Sequence, residues 1–212
     1  MHPEPTAVIA HLSDTHLLAG GARLADLVDT EAHLRATVER LRIAAPDADA
    51  IVVSGDVADR GEPEAYALAR EILEPVATQL GAPIVWAAGN HDDRPQMRAA
   101  LGLAGDPLDS VDSVLEVGQL RIVTLDTSLP GWHHGGFDEG QAEWLAAALA
   151  LEVGEVALHR RVEPHAQSAF LLKRSIRSAG VSCSTCSTTW AGSVSRESCG
   201  NAGRTVCEMA SG

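Results

Sequence analysis

The stretch that decides the fold is VVSGDVADRG at residues 52–61, where an apolar run ends in Gly55 and Asp56. A carboxylate at the end of a buried strand is costly unless it is paired with a cation or binds a metal ion. Two other apolar runs end in polar residues in the same way, in SDTH at residues 13–16 and in GNHD at residues 89–92. The three endings together indicate a shared site, whereas one alone would be more typical of a turn.

Strand and helix patterns alternate along residues 1–150. Apolar runs predict strands over residues 7–14, 50–56, 82–92 and 120–128. Apolar residues at helical spacing predict helices over residues 26–45, 62–80 and 137–150. The first helix has Asp29 or Thr30 as a cap, and we expect the second to be bent or broken near Pro75. This alternation predicts an α/β domain with a largely parallel sheet at its centre.

Length and composition narrow the classes of protein. The chain has 212 residues, enough for one domain with its own core. The net charge of −13 argues against non-specific binding to nucleic acid. No run of about 18 apolar residues predicts a membrane span, and the N-terminus does not have the pattern of a signal peptide. We therefore expect a cytoplasmic protein.

The ends of the predicted strands carry possible metal ligands. In an open parallel sheet, the carboxyl ends of the strands meet at the edge where ligands bind. Their oxygen and imidazole groups suit manganese, iron or zinc. Two of them are two residues apart on an extended segment and can reach one ion, while the carboxylate after the second strand can bridge two ions. The residues brought together are Asp14, His16, Asp56, Asn90 and His91.

The order D-x-H, G-D-x-x-D and G-N-H-D resembles the calcineurin-like metallophosphoesterase superfamily. Within it, HLSDTHL, GDVADRGEPEAY and GNHDDR are most similar to the class III cyclic-nucleotide phosphodiesterases of bacteria. The segment LDTSLPGWHHGGFDEGQAEWLAAAL at residues 125–149 continues the similarity, which covers about residues 7–150. The resemblance implies an α/β sandwich of two mixed sheets flanked by helices. It also implies a hydrolase for a phosphodiester such as cAMP or cGMP, although related enzymes cleave glycerophosphodiesters.

The resemblance also implies a site with two metal ions of the iron, manganese or zinc class. Asp14 and His16 would hold the first ion, Asp56 would bridge, and Asn90 would hold the second. His159 lies at about the place of a further ligand of that ion. A hydroxide between the ions would attack phosphorus in line with the leaving oxygen.

Catalytic and substrate-binding roles follow from the same resemblance. His91 would stabilise the transition state or protonate the leaving oxygen, with Asp92 orienting its ring. His133 and His134 would contact the substrate, although an exposed glycine-rich loop without that role is the simpler interpretation. The implied partner is a small phosphodiester, and members of this class often form homodimers.

Other polar and aromatic residues near these motifs have structural explanations. Asp59 and Arg60 fit an ion pair or loop cap as well as a role in the site. Asp126 fits a loop tether better than a metal ligand. Trp144, at helical spacing with leucines, and His11, on a strand, fit the core.

The pattern of the family stops near His159, which is followed by Arg160 and Arg161 where the family has His-Pro-Pro. No Gly-His-x-His occurs in the sequence, so each ion would lose a ligand. Residues 151–212 have five acidic and seven basic residues, against 24 acidic and nine basic residues before them. We therefore divide the chain into a phosphoesterase domain, residues 1–159, and a tail, residues 160–212, that we expect to be disordered or poorly packed.

Three alternatives follow from the tail. The first is that the sequence from about residue 150–160 onward is translated out of frame or truncated, which resequencing the gene for downstream His-Pro-Pro and Gly-His-x-His would test. The second is an interaction module with zinc bound by the tail cysteines, which mutation of the first two would test. The third is an inactive phosphoesterase-like fold that binds a partner. The cysteines are Cys183, Cys186, Cys199 and Cys207.

Overall fold

The computed structural model describes residues 7–118, 120–149, 168–174 and 204–207. The strands are β1 (Val8–Ser13), β2 (Ala50–Ser54), β3 (Ile84–Ala87), β4 (Ser113–Val117), β5 (Leu120–Asp126), β6 (Ser168–Arg174) and β7 (Arg204–Cys207). The helices are α1 (Thr30–Ala44), α2 (Pro63–Leu80), α3 (Arg94–Leu101) and α4 (Glu139–Leu149). A single 3-10 turn at Ala19–Gly21 precedes α1.

These strands form two sheets. The first has the order β3-β2-β1-β7 with every pair parallel, and the second has the order β4-β5-β6 with both pairs antiparallel. The expected pair of sheets is confirmed. Within the part of the chain that the structure describes, one sheet is entirely parallel and the other entirely antiparallel. Neither sheet is therefore mixed.

The two faces of the first sheet pack against different layers because side chains alternate along each strand. Leu12, Ile51 and Val53 face the helices in the largest core cluster. Ile9 and Val52 face the second sheet, where they form a separate buried cluster with Ile122 of β5.

The opposite face of the second sheet is covered by α4, where Val123 and Leu125 pack against Leu145 and Leu149. The layers are therefore helices, sheet, sheet and helix, which confirms a sandwich flanked by helices.

The register of the first sheet brings its carboxyl ends to one level. Ser13 lies opposite Ser54, and Ser54 lies opposite Ala87. The loops that begin at Asp14, Gly55 and Ala88 therefore leave the sheet side by side. This alignment is the reason that three separate sequence motifs can form one site.

The helices follow the predicted positions with two differences. Asp29 is the N-cap of α1, and its carboxylate accepts a hydrogen bond from the Ala32 backbone nitrogen at 2.9 Å. The expected break near Pro75 is wrong, because α2 continues through this proline to Leu80. The sequence analysis did not predict α3, although Asp93 as N-cap and Pro95 in the first turn are typical of a helix start.

Three strands of the structure lie where the sequence pattern predicted none. The strand β4 was not predicted, although its residues alternate between half-buried and exposed. Two strands of the tail, β6 and β7, pair with β5 and β1 and were not predicted either. The apolar stretch VGEVALH at residues 153–159 fits a further strand, and it lies outside the described residues. For the rest of the tail, poor packing stays a prediction.

A membrane-spanning helix is not found among the described residues, since none of their helices is both long and apolar enough.

Candidate metal centre

The loops that follow β1 and β2 run together beyond the end of the sheet. Backbone nitrogens of the first loop donate to carbonyl oxygens of the second, from His16 to Asp56 at 2.9 Å and from Leu17 to Val57 at 3.0 Å. The backbone nitrogen of Gly55 donates to the Ala87 oxygen at 2.9 Å, which joins the third loop. Backbone bonds of this kind fix the relative positions of the polar side chains that the loops carry.

Three of the predicted ligands have an unusual backbone conformation. The φ angles of Asp14, His16 and Asp56 are 53°, 42° and 42°, in the left-handed region. This region costs residues other than glycine roughly 1–3 kcal/mol each, and such residues concentrate at functional sites. The fold therefore holds these three side chains in place at a cost to its own stability.

His16, Asp56 and His91 form the centre of the site. Each offers one ligand atom, and these atoms all lie within 4.8 Å of one another. The rings of His16 and His91 meet edge to face with centroids 5.0 Å apart. Asp56 is buried, while both histidines are partly open to solvent. The predicted convergence of these three side chains is present in the structure.

Asp59 fixes the proton on His16. The Nδ1 atom of His16 lies 3.1 Å from Oδ1 of Asp59, and its Nε2 atom lies 3.7 Å from Oδ2 of Asp56. A carboxylate accepts hydrogen bonds, so Nδ1 is the donor in this contact, and Nε2 faces a second carboxylate. A carboxylate behind a metal-binding histidine is the usual way to set its tautomer. Asp59 therefore belongs to the site.

His91 is held by two neighbours. Its backbone nitrogen donates to Oδ1 of Asp56 at 3.0 Å, and Nδ1 of its ring lies 2.7 Å from the backbone oxygen of Asp59. The partner of the ring is therefore the backbone of Asp59, and not Asp92 as expected from the resemblance. A carbonyl oxygen only accepts, so the contact places a proton on Nδ1 of His91.

Asp92 instead joins two loops. Its carboxylate accepts hydrogen bonds from the backbone nitrogens of Val57, Ala58 and Gly89 at 3.1, 3.0 and 2.8 Å. Burial raises the pKa of Asp92 to about 6 in spite of these bonds. The expectation was wrong about its partner because the sequence could not show that both oxygens are occupied by backbone groups.

The side-chain amide of Asn90 offers a further oxygen at this centre. Among the described residues, the buried Oδ1 atom of Asn90 has no hydrogen-bond partner. Buried polar atoms normally have one, and an exception calls for an explanation. On its other side, Nδ2 of Asn90 lies 3.3 Å from Nδ1 of His133.

Asp14 lies beside the centre formed by His16, Asp56 and His91, and it is exposed to solvent. Burial of its carboxyl raises its pKa, and the nearby Asp56 carboxylate adds to the rise. His16 and His91 act in the opposite direction. Asp14 is therefore close enough to the other predicted ligands for their charges to change its pKa.

The residues present fit a metal site on these observations. Two lone-pair donors, Nε2 of His16 and the Asp56 carboxylate, face each other, and the Asn90 oxygen is unpaired. A side chain at Gly89 would overlap the Asp56 carboxylate, so glycine leaves the room that this carboxylate occupies. Imidazole, carboxylate and amide oxygen are the ligands of manganese, iron and zinc.

The remaining predicted residues have different places. His159 lies outside the described residues, and so do three of the tail cysteines, whereas Cys207 is the last residue of β7. His133 reaches Asn90, and His134 packs against Trp132 on the same exposed loop. Arg60 is exposed, with its Nε atom 3.7 Å from Asp59.

The structural explanations given for Asp126, as a loop tether, and for His11, as a core residue, are confirmed. Asp126 tethers loops, since its carboxylate accepts from the Val111 nitrogen at 3.0 Å and from Nε of Arg94 at 2.7 Å. His11 is buried with Nε2 2.6 Å from the Ser54 hydroxyl, and burial lowers its pKa to about 4. Trp144 is partly buried and packs against the core under α4.

Two supporting residues were missed by sequence reasoning. The backbone nitrogen of Asp93 donates to the hydroxyl of the buried Tyr66 at 2.8 Å, which fixes the end of the third loop. Arg94 joins the start of α3 to Asp126 and to the Ser128 backbone oxygen. The helix-start pattern Asp93-Arg94-Pro95 could have located Arg94, but no local pattern points to the partner of Tyr66.

A sequence model of the family described as calcineurin-like phosphoesterase matches residues 7–161. The chain belongs to the calcineurin-like phosphoesterase family. The three strand ends with their aspartates, histidines and asparagine all lie within the residues that match the calcineurin-like phosphoesterase family.

Relatives of this calcineurin-like phosphoesterase carry names of two kinds. A cAMP/cGMP dual specificity phosphodiesterase of Mycobacterium tuberculosis is 45% identical over 74% of this chain and 51% of the relative. A probable cyclic nucleotide phosphodiesterase of Rhodococcus erythropolis is 40% identical over 81% and 58%. A glycerophosphodiester phosphodiesterase of Enterobacter lignolyticus is 30% identical over 68% and 51%. The chain thus spans about half the length of these relatives.

Proposed function

We propose that this chain hydrolyses a phosphodiester, namely a 3′,5′-cyclic nucleotide, with two metal ions of the manganese, iron or zinc class. The observation that carries the proposal is the meeting of His16, Asp56 and His91 within 4.8 Å, beside the unpaired Oδ1 of Asn90. The more similar of the relatives named above are cyclic nucleotide phosphodiesterases, which favours a cyclic nucleotide over a glycerophosphodiester.

The proposed ligands divide between two ions. Asp14 and His16 would hold the first, Asp56 would contact both, and Asn90 would hold the second, with His159 as a further ligand. Bound ions of this kind lower the pKa of water and stabilise negative charge on phosphoryl oxygens. The chain's own part is to orient these groups, which the backbone bonds between the loops and the Asp59 carboxylate support.

His91 is proposed as the proton donor to the leaving oxygen. Its Nδ1 proton is held by the Asp59 carbonyl oxygen, so the second proton of its charged form sits on Nε2. A donor of this kind contributes typically 10²–10⁴-fold to a rate. His133 lies against Asn90 and is proposed to contact the phosphate, with His134 beside it.

The first experiment is hydrolysis of bis(p-nitrophenyl) phosphate by the purified chain with added Mn²⁺. We expect turnover that EDTA abolishes and that Asp56→Ala lowers at least 100-fold, while Asp29→Asn, at an exposed helix cap, keeps full activity. A folded, Mn²⁺-loaded chain without turnover would contradict the proposal and favour the inactive phosphoesterase-like alternative.

The substrate class is tested next with cAMP, cGMP and glycerophosphocholine. We expect kcat/KM for either cyclic nucleotide to exceed that for glycerophosphocholine. The reverse order would replace the cyclic nucleotide with a glycerophosphodiester. A cytoplasmic location and a homodimer stay predictions, which fractionation of cells and light scattering would test.

A further inference from the structure

The loop that follows β5 reaches the candidate metal centre. We call residues 127–136 the His133 loop, because His133 is the residue that lies against Asn90. Near its base, the Gly136 nitrogen donates to the Thr127 oxygen at 2.8 Å, and at its turn the Trp132 nitrogen donates to the Leu129 oxygen at 2.9 Å. The loop is therefore closed on itself by backbone bonds.

The base of the His133 loop is also fixed from outside. Nη2 of Arg94 donates to the Ser128 oxygen at 2.8 Å, while Nε of the same guanidinium donates to Asp126 at 2.7 Å. Arg94 follows the GNHDD motif directly in the sequence. The loop and the metal-binding motif are thus held to one another, and a loop fixed in advance loses little entropy when a ligand binds.

Trp132 is the notable side chain of this loop. It is 62% exposed, whereas the core residue Trp86 is 7% exposed. One edge of the indole packs against His134, with ring centroids 5.1 Å apart at an interplanar angle of 60°. The rest of the flat apolar indole faces water. Trp132 directly precedes His133 in the sequence. An exposed indole offers a face on which a flat aromatic ligand can stack.

Two other exposed apolar side chains lie on the segments that Arg94 joins. Leu129, whose oxygen bonds the Trp132 nitrogen, is 37% exposed, and Leu108 is 78% exposed. The carbonyl oxygen of Leu108 lies 3.4 Å from Nη1 of Arg94, the residue that also holds Ser128. Exposed apolar side chains therefore occur on both segments that Arg94 holds next to the GNHDD motif.

We propose that Trp132 is the surface on which the base of the nucleotide stacks while its phosphate lies at the metal centre. The inference rests on the proposed function, because it assigns the base-binding part of the same site. A nucleotide has a charged phosphate and a flat base separated by one ribose, and here the exposed indole of Trp132 adjoins His133, which contacts Asn90 of the polar centre. Stacking depends little on which base is present, so adenine and guanine nucleotides are both accepted.

The test measures binding, so it does not depend on turnover. The Mn²⁺-loaded chain is titrated calorimetrically with AMP, GMP and ribose 5-phosphate, which is AMP without its base. We expect AMP and GMP to bind roughly 5- to 100-fold more tightly than ribose 5-phosphate. Trp132→Ala should bring this ratio to about 1, and Trp132→Phe should keep most of it.

The control and the contrary outcomes are distinct. Ile43→Ala removes an apolar side chain on α1 that is 83% exposed, more than Trp132, and should leave the ratio unchanged. An unchanged ratio in Trp132→Ala, or a wild-type chain that binds none of the three ligands, overturns the inference. Equal weakening of all three in Trp132→Ala also overturns it and indicates that Trp132 only supports the loop or contacts another protein copy. Failure of the phosphodiester assay alone rejects the proposed function and leaves this ratio measurable.

Discussion

Individual residues at the site depend on each other through the tautomers that their neighbours impose. His16 presents Nε2 to Asp56 because Asp59 occupies its Nδ1 atom, and His91 is fixed by the Asp59 backbone oxygen. One aspartate thus sets the orientation of both rings. Asp59 lies three residues after Asp56, so one short loop supplies a predicted ligand and the group that orients the rings of His16 and His91.

The first prediction concerns Asp59→Asn. Loss of the carboxylate removes the charge that holds the proton on Nδ1 of His16, so we expect the affinity for Mn²⁺ to fall about 10–100-fold. Calorimetric titration with Mn²⁺ measures this change. Asp93→Asn is the matched control, because Asp93 caps α3 and asparagine caps equally well. An equal loss of affinity in both variants would contradict the role given to Asp59.

A second prediction concerns the pH dependence of stability. Burial lowers the pKa of His11 to about 4, whereas the unfolded chain has the ordinary value of 6.5. Between these values only the unfolded chain binds this proton, so the contribution of His11 lowers the free energy of unfolding as the pH falls from 6.5 to 4, by about 3 kcal/mol. His11→Asn should remove this contribution.

The measurement is the difference in unfolding free energy between wild type and His11→Asn, by urea titration in EDTA from pH 4 to 7. The pKa of Asp92, raised to about 6, acts with the opposite sign over a similar range, since the folded chain then binds the extra proton. Asp92 is present in both proteins, so its contribution cancels in the difference. A difference that does not change with pH would show that folding leaves the pKa of His11 unshifted and would contradict the prediction.

At the scale of elements, helix ends and helix interiors follow different rules. Asp29 and Asp93 cap α1 and α3 with hydrogen bonds of 2.9 Å, and both caps could be recognised from residue type. In contrast, α2 contains Pro75, which removes a backbone donor and normally breaks a helix. Ile72, Leu73, Val76 and Ala77 are buried on the core side of this helix. Packing of this apolar face outweighs the local preference against the proline.

The third prediction is therefore that Pro75→Ala stabilises the chain. Pro75 is exposed, so the change removes little packing, and alanine restores the donor within α2. The proline costs about 3 kcal/mol in a helix interior, of which up to about 1 kcal/mol is recovered by its effect on the unfolded chain. We expect a gain of about 2 kcal/mol in urea unfolding. Gln79→Ala, at another exposed position of α2, should change stability by less than about 0.5 kcal/mol.

At the scale of the whole molecule, one ion pair connects the two sheets near the site. Arg94 begins α3, which follows β3 of the first sheet, and Asp126 ends β5 of the second sheet. The side chain of Asp126 is 0% exposed and that of Arg94 is 15% exposed. Removing one member of a buried pair leaves the other charge without a partner, which costs much more than losing a surface pair.

The fourth prediction compares this pair with an exposed pair. Asp126→Asn should lower the free energy of unfolding by about 3–5 kcal/mol, and Asp126→Asn with Arg94→Met should cost less than the sum of the two changes. The matched pair is Arg35 and Glu71, whose side chains are 47% and 68% exposed. Glu71→Gln should cost less than about 1 kcal/mol. Similar costs for Asp126→Asn and Glu71→Gln would contradict the structural role of the buried pair.

The sequence predicted the elements best where a regular apolar pattern was long. The strands β1 and β2 and the helices α1, α2 and α4 were found within a few residues of their ends. Short elements were missed, since α3 has eight residues and β4 has five, which leaves too few positions to establish a period. The strands β6 and β7 were missed because their pairing with β5 and β1 is not written in a local pattern.

The identities of the possible ligands were contained in the sequence, and their surroundings were not. Asp14, His16, Asp56, Asn90 and His91 could be predicted because each follows a strand, and parallel strands bring their ends to one edge. The contacts of His16 with Asp59 and of Asn90 with His133 each join residues 43 positions apart. Contacts between such distant side chains depend on how loops leave the sheet and pack, which no local pattern encodes. For the same reason, only the folded chain shows Asp92 joining loops and Trp132 exposed on the loop that reaches Asn90.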